Sequence, residues 1–232
     1  MIRRLVFSLL LLAPLAVGAQ LKTGVPVAGK DYVVLNPAQP TWGTGGIEVA
    51  EVFGYTCIHC AQFQPLVNNW KKTLPADVKL RYVPAAFGGI WDNGARAFFA
   101  AEALKVQERT HDAVFKAVFI DKKVTTASVE EFADVYAGLG VDRAKILSVM
   151  KGTTVSGKVN RARQFAQRAG VNSTPTLIVN GKYRITAKSH EESFLPLRKN
   201  KSRPRSGGAS HDGPSAQTPQ QQHPGRIHHP GV

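Results

Sequence analysis

The sequence predicts an α/β fold, and two features of its pattern carry that reading. Short apolar runs rich in β-branched and aromatic residues lie towards both ends of the central region, while from residue 93 the apolar spacing becomes helical and stays so for about seventy-five residues. A helical segment is thus expected between the strands of one sheet.

Residues 21–29 read as an extended arm. Asp31-Tyr32-Val33-Val34-Leu35 is a short strand candidate that Pro37 and Pro40 end, and Gly43-Thr44-Gly45-Gly46 makes a turn. Residues 47–53 form the second strand, which delivers the chain straight to Cys57. Residues 61–72, with Phe63, Leu66, Val67 and Trp70 on one face, read as an amphipathic helix that Pro65 should kink. Leu74-Pro75-Ala76-Asp77 turns into a third strand at 78–83. Helices follow at 95–106, 111–119, 128–137, 142–150 and 156–169, with capping signals at Thr126 or Ser128 and at Asp142. Strand character returns at 176–179. Asn180-Gly181 marks a type I′ hairpin turn, and 182–185 is the partner strand. Ser189 with Glu191 and Glu192 opens a helix that the next residues do not continue.

The two ends differ in kind from this body. Arg3 and Arg4 lead into an apolar run from Leu5 to Val17, and Val17-Gly18-Ala19 supplies small residues before a cut at Gln20, the pattern of a secretory signal peptide. That run contains Pro14 and falls short of the roughly twenty residues of a membrane helix. From Pro196 onward the chain is rich in Pro and Gly and poor in large apolar side chains, a composition that does not repay ordering entropy. His211, His223, His228 and His229 belong to this tail, and its composition, not metal binding, accounts for them. Of the net charge of +14, +7 remains on residues 20–195. A basic exported body suits acidic polypeptides or an anionic membrane surface. Nucleic acid is not expected, since aromatic and basic residues are not interleaved on one element.

The two cysteines of the 232 residues, Cys57 and Cys60, sit three apart where the second strand meets a helix start. Sulfurs one helical turn apart can close on each other, and the first lies at the positive end of the helix. Export leaves a structural or a redox role, and so short a loop removes little entropy from the unfolded chain. A soft metal on Cys57, His59 and Cys60 is a further reading, but no second cysteine cluster completes a closed set. By the period of two, Glu51 shares a strand face with Phe53 and Tyr55, and Arg81 on the neighbouring strand is its expected charge partner.

Strand, Cys-x-His-Cys, helix, strand, helices, Thr174-Pro175 and hairpin, with Glu51 six residues before Cys57, make the chain resemble the thioredoxin superfamily, and within it the DsbA-like thiol:disulfide interchange proteins of the bacterial periplasm. The resemblance spans residues 31–192. It implies a thioredoxin-like fold with a helical domain inserted between the βαβ and ββα halves. The chain then divides into a signal peptide (1–19), an arm and first half with the cysteines (20–92), the helical insertion (93–170), a second half with Thr-Pro and hairpin (171–195) and a disordered basic tail (196–232). The resemblance also implies a long C-terminal helix, which is missing or altered here after residue 195.

The function so implied is a periplasmic oxidase that donates a redox-active Cys57–Cys60 disulfide to newly exported proteins and needs no cofactor or metal. Cys57 is expected to be the exposed attacking thiolate and Cys60 the covered resolving partner. His59 is expected to favour the thiolate, and Glu51 to relay protons with its pKa raised by burial. Thr174, a cis Pro175 and Ile58 would line an apolar groove for extended substrate. The implied partners are unfolded cysteine-containing proteins and a membrane reoxidase of the DsbB type, with the chain acting as a monomer. A reductase or isomerase on the same fold, and a holdase or metal carrier without turnover, are the rival readings.

Overall fold

The computed structural model describes residues 26–186. The expected signal segment, the expected loss of a C-terminal helix after residue 195 and the expected tail all fall outside the described residues.

Five strands form one sheet in the order β1-β5-β4-β2-β3: β1 Tyr32–Val34, β2 Ile47–Phe53, β3 Val78–Pro84, β4 Thr176–Val179 and β5 Tyr183–Ile185. β2 and β3 run parallel, joined by helix α1 Ile58–Lys71, and the remaining neighbours are antiparallel. Between β3 and β4 come five helices, α2 Ile90–Ala103, α3 Gln107–Phe119, α4 Val129–Gly138, α5 Arg143–Lys151 and α6 Thr153–Arg168. This is a thioredoxin-like α/β sheet carrying a helical insertion.

β2 is an interior strand, paired on both edges and covered on both faces. Val49 packs with Leu177 against Phe63, Val67 and Trp70 of α1. Ala50 and Val52 belong with Ile178 to the larger core, to which α6 adds Val155, Val159, Ala162 and Phe165 at helical spacing. Burying residues of that size contributes about 1.5–3 kcal/mol each, so the strand is fixed before any polar contact is counted.

Each helix found in the sequence is present, and several start earlier than the apolar spacing suggests. α2 begins at Ile90 and not at 95, α3 at Gln107 and not at 111, α1 at Ile58 and not at 61, and α6 at Thr153 and not at 156. First-turn residues take helical geometry before the first core-facing side chain, so periodicity reports the packing and not the cap. Where Ser or Asp caps, the start is where the sequence put it. Ser128 Oγ accepts from Glu131 N–H at 3.2 Å, and Asp142 Oδ1 from Lys145 N–H at 2.6 Å. α1 continues through Pro65, which leaves the Ala61 carbonyl without its intrahelical donor.

The hairpin turn has positive φ at both Asn180 (48°) and Gly181 (63°), with Lys182 N–H bonded to the Val179 carbonyl at 2.9 Å. Lys182 is an extra residue before the ladder resumes at Val179↔Tyr183. A Cβ on Gly181 would run into the Gln39 backbone carbonyl. Asn180 also ties this turn to β2: its Oδ1 accepts from Glu48 N–H at 2.7 Å, and its N–H donates to the Glu48 carbonyl at 2.9 Å. The buried Glu48 carboxylate accepts from the N–H groups of Trp42 (2.7 Å) and Gly43 (2.6 Å). Glu48→Ala is expected to lower stability by about 2–3 kcal/mol, because two backbone donors lose a charged acceptor. Urea unfolding at neutral pH checks this, and a loss under half a kilocalorie would contradict it.

Candidate active site

The site forms where β2 runs out. Ala85 N–H donates to the Phe53 carbonyl at 2.6 Å and Cys57 N–H to the Gly54 carbonyl at 3.1 Å, so the chain turns out of the sheet within four residues. Gly54 has no alternative there, since a Cβ would penetrate the Trp91 ring. Cys57 then takes the N-cap position of α1 with extended backbone (φ −97°, ψ 113°). Its carbonyl accepts the first helical bond from Ala61 N–H at 3.1 Å. Its Sγ accepts from Cys60 N–H at 3.3 Å, the place a serine or aspartate oxygen usually fills.

Both cysteines are reduced, and their surroundings drive their acidities apart. Cys57 is held down at about 5 from an ordinary value near 9, first by the Cys60 thiol hydrogen-bonded to it, then by the Thr174 side chain and the first-turn N–H groups of Cys60 and His59, against an opposing cost of burial. Cys60 is raised far above the usual thiol range by burial, then by the Cys57 and Glu51 charges. Thr174 closes the far side. Its carbonyl lies 3.4 Å from Cys57 Sγ, which donates to it when protonated, and the Thr174–Pro175 peptide bond is cis.

Cys57 is less open than the sequence suggested. It is 8% exposed against 0% for Cys60, because the N-cap geometry turns its sulfur towards the helix and the Thr174 carbonyl covers it. Ile58 and His59, the two residues between the cysteines, are exposed.

Glu51 lies on β2 at 1% exposure with Oε2 lacking a hydrogen-bond partner among the described residues. Burial first, and then the Cys57 charge, raise its carboxyl to about 8. The register overturns Arg81 as its charge partner. Arg81 pairs with Ala50 and so lies on the opposite face, where it donates to the Thr44 carbonyl at 3.3 Å, while Tyr82 and Leu177 flank Glu51. The Tyr82 hydroxyl is pushed up by burial and by the Glu51 charge, and it accepts from Gln64 Nε2 at 3.1 Å.

Sequence reasoning missed two groups here. His111 is 3% exposed, its ring 4.4 Å from that of Tyr82 and its Nδ1 2.9 Å from the Tyr55 hydroxyl; burial lowers it to about 3, so it stays neutral. Its place beside Val114, Phe115 and Val118 on the apolar side of α3 was the available signal. The second group is the loop after β3 with the first turn of α2, where Trp91 lies on Gly54 with Phe87 at 5.2 Å. Phe87 and Ile90 there, with Ile58 on α1, remain 43–47% exposed and form an apolar rim at this corner. Among the described residues no cluster of three or more His, Cys, Asp or Glu is arranged to hold a metal ion.

Two titrations follow from these environments. Thiolate absorbance of the reduced protein is expected to rise with a midpoint near 5 for Cys57, and a midpoint above 8 would contradict the N-cap account. Glu51 holds its proton in the folded state between its ordinary 4.5 and about 8, while the unfolded chain has released it. Its contribution to stability is therefore complete below pH 4.5 and is lost as pH rises through 8. Glu51→Gln should match the parent at pH 4 and exceed it at pH 8 by on the order of 3 kcal/mol. Equal urea midpoints at both pH values would rule this out.

Comparison with known proteins agrees with the geometry. Residues 47–194 match the family model described as Thioredoxin. The thiol:disulfide interchange protein DsbA of Pseudomonas aeruginosa is 42% identical over 158 residues, which is 68% of this chain and 74% of that one. That of Pseudomonas syringae pv. tomato is 37% identical over 184 residues, 79% and 86% of the two chains. Among solved structures, the oxidoreductase DsbA from Xylella fastidiosa superposes with a TM-score of 0.72 at 36% identity, covering 77% of this chain and 100% of its own. With a cysteine pair at the head of α1, acting without a cofactor, this chain belongs to the DsbA-like thiol:disulfide oxidoreductases of the thioredoxin family.

Proposed function

We propose that the chain works in the oxidising direction, donating a Cys57–Cys60 disulfide to newly exported proteins in the periplasm. The observation that supports this most is the depressed Cys57 thiol. Stabilising the thiolate stabilises the reduced protein, and so makes the disulfide readier to accept electrons.

In the first step a substrate thiolate attacks Cys57 Sγ. The Cys57–Cys60 bond breaks, a mixed disulfide forms, and Cys60 leaves as a thiolate. Buried at 0% exposure, it cannot keep that charge and takes a proton, for which Glu51 is the nearby buried acid. In the second step another substrate thiolate attacks the substrate sulfur of the mixed disulfide. Cys57 then leaves as a thiolate, favoured by the Cys60 and His59 N–H groups. The substrate has lost two electrons, and the cysteine pair has gained them.

Ile58, Phe87 and Ile90 supply apolar surface for unfolded chains, and Thr174 with Pro175 offers backbone beside the reacting sulfur. His59, exposed between the cysteines, adds its backbone donor to the sulfur. A membrane reoxidase of the DsbB type would restore the disulfide, with the chain acting as a monomer and without nucleic acid.

A glutathione buffer poised at about −200 mV tests the direction. The pair is expected to be mostly dithiol there, whereas a mostly disulfide population would make the protein a reductase. Cys60→Ala is expected to trap mixed disulfides through Cys57, and their absence with a folded variant would leave only a binding role.

A further inference from the structure

The proposed cycle draws a proton from Glu51, and the carboxylate left behind must recover one from solvent. Its surroundings restrict the way in. On its face of the sheet Glu51 has Val49 and Phe53 two residues away along β2, Leu177 on β4 and Tyr82 on β3. Helix α1 covers this face with Cys60, Phe63, Gln64 and Val67. Among these neighbours only Cys60, Gln64 and Tyr82 carry a side-chain proton on sulfur, nitrogen or oxygen.

The way past the sulfurs is narrow, and the reaction closes it. Cys60 is 0% exposed and Cys57 8%, with the Thr174 carbonyl over the latter. In the mixed disulfide the substrate is bonded to Cys57 Sγ and fills the opening that remains.

The opposite side is open. β3 is the last strand of the sheet, and against it lies a cleft of about 290 Å³ lined by Leu80 and Tyr82, by Gln64 and Asn68 of α1, and by His111 and Asp112 of α3. Gln64 Nε2 donates to the Tyr82 hydroxyl and to Asn68 Oδ1, both at 3.1 Å, and Asn68 Nδ2 donates to Asp112 Oδ2 at 2.8 Å. A polar chain therefore runs from the residue beside Glu51 to the surface. Because Gln64 is the donor, the Tyr82 proton is not spent on it. Glu51 Oε2 has no hydrogen-bond partner among the described residues, and the Glu51 charge acts on the Tyr82 hydroxyl.

We propose that Glu51 is reprotonated from this cleft through the Tyr82 hydroxyl, which Gln64 holds in place, and not past the cysteines. Tyr82 passes its own proton to the Glu51 carboxylate as its oxygen takes one from solvent in the cleft, so the tyrosine ends neutral and one proton has crossed. Gln64 carries no proton and is a positioning residue. The route rests on Glu51 as the proton store of the proposed cycle, but not on the direction of electron flow.

The test follows the carbonyl stretch of the protonated Glu51 carboxyl in the infrared after the reduced full chain is moved into D2O at about pH 5, where burial keeps this group protonated. Subtracting the Glu51→Gln spectrum identifies the band. In Tyr82→Phe and in Gln64→Leu it is expected to exchange at least about tenfold more slowly than in the parent. Capping Cys57 with a bulky maleimide, which stands where a substrate would, is expected to leave the parent rate unchanged. Tyr55→Phe removes a buried hydroxyl that bonds His111 and lies off the route, and it should not slow exchange. Loosened packing speeds exchange, so slowing has the opposite sign from a structural defect. Parental exchange rates in both Tyr82→Phe and Gln64→Leu, or a capped parent slowed as much as Tyr82→Phe, would overturn the route while leaving Glu51 as the proton store. Absence of the band from the parent would overturn both.

Discussion

The rest of the site depends on one contact, the hydrogen bond from Cys60 N–H to Cys57 Sγ at the head of α1. A helix begins with N–H groups that have no intrahelical acceptor, and here a sulfur stands where an oxygen usually caps. A thiol is a weak acceptor and a thiolate a strong one, so the helix rewards ionisation of Cys57. The same turn puts Cys60 beneath the first cysteine, against β2 and away from solvent. One local geometry thus gives two chemically identical side chains opposite acid strengths.

Behind the pair the protein accepts a cost. β2 is buried on both faces, so any polar residue on it must be hydrogen-bonded or neutral. Glu48 is satisfied by two backbone donors, and it fastens the loop before β2. Glu51 has no such donors on Oε2, and its carboxyl rises to about 8. Both glutamates lie on one buried interior strand, but the partners that each finds separate a structural carboxylate from a proton-holding one. Tyr82 and neutral His111 complete a buried layer that supplies no cation to ionise Glu51.

The sequence made the strands, the helix count and the reacting residues legible because each left a local mark: period-two runs, helical spacing, Cys-x-His-Cys, Thr-Pro and Asn-Gly. Arg81 was misplaced because a parallel register cannot be read from either strand alone, and one residue of slip reverses the face. Tyr82 and Leu177 took its place beside Glu51. The apolar rim of Phe87 and Ile90 was illegible for another reason. It sits in a Gly-rich loop and the first residue of α2, too short a stretch for periodicity, and the clearance that Gly54 leaves for Trp91 joins it to the site. The limited exposure of Cys57 likewise depends on Thr174, 117 residues away.

The opposed acidities of the three groups also determine how many protons accompany the electrons. Near neutral pH the reduced pair holds Cys57 as a thiolate and Cys60 as a thiol, so closing the disulfide releases one proton from the pair and not two. Glu51 senses the same event, because the Cys57 charge is one of the causes that raise its carboxyl. Once the sulfurs are joined that charge is gone, and the carboxyl is freer to ionise. Opening the disulfide reverses both changes. It creates a buried Cys60 anion needing a proton and a Cys57 anion that makes Glu51 hold its own more tightly. In the proposed cycle the step that most needs Glu51 to give up a proton is therefore completed before the Cys57 charge settles against the helix. Proton delivery would then belong to formation of the mixed disulfide, with the Cys57 thiolate appearing only when the substrate leaves.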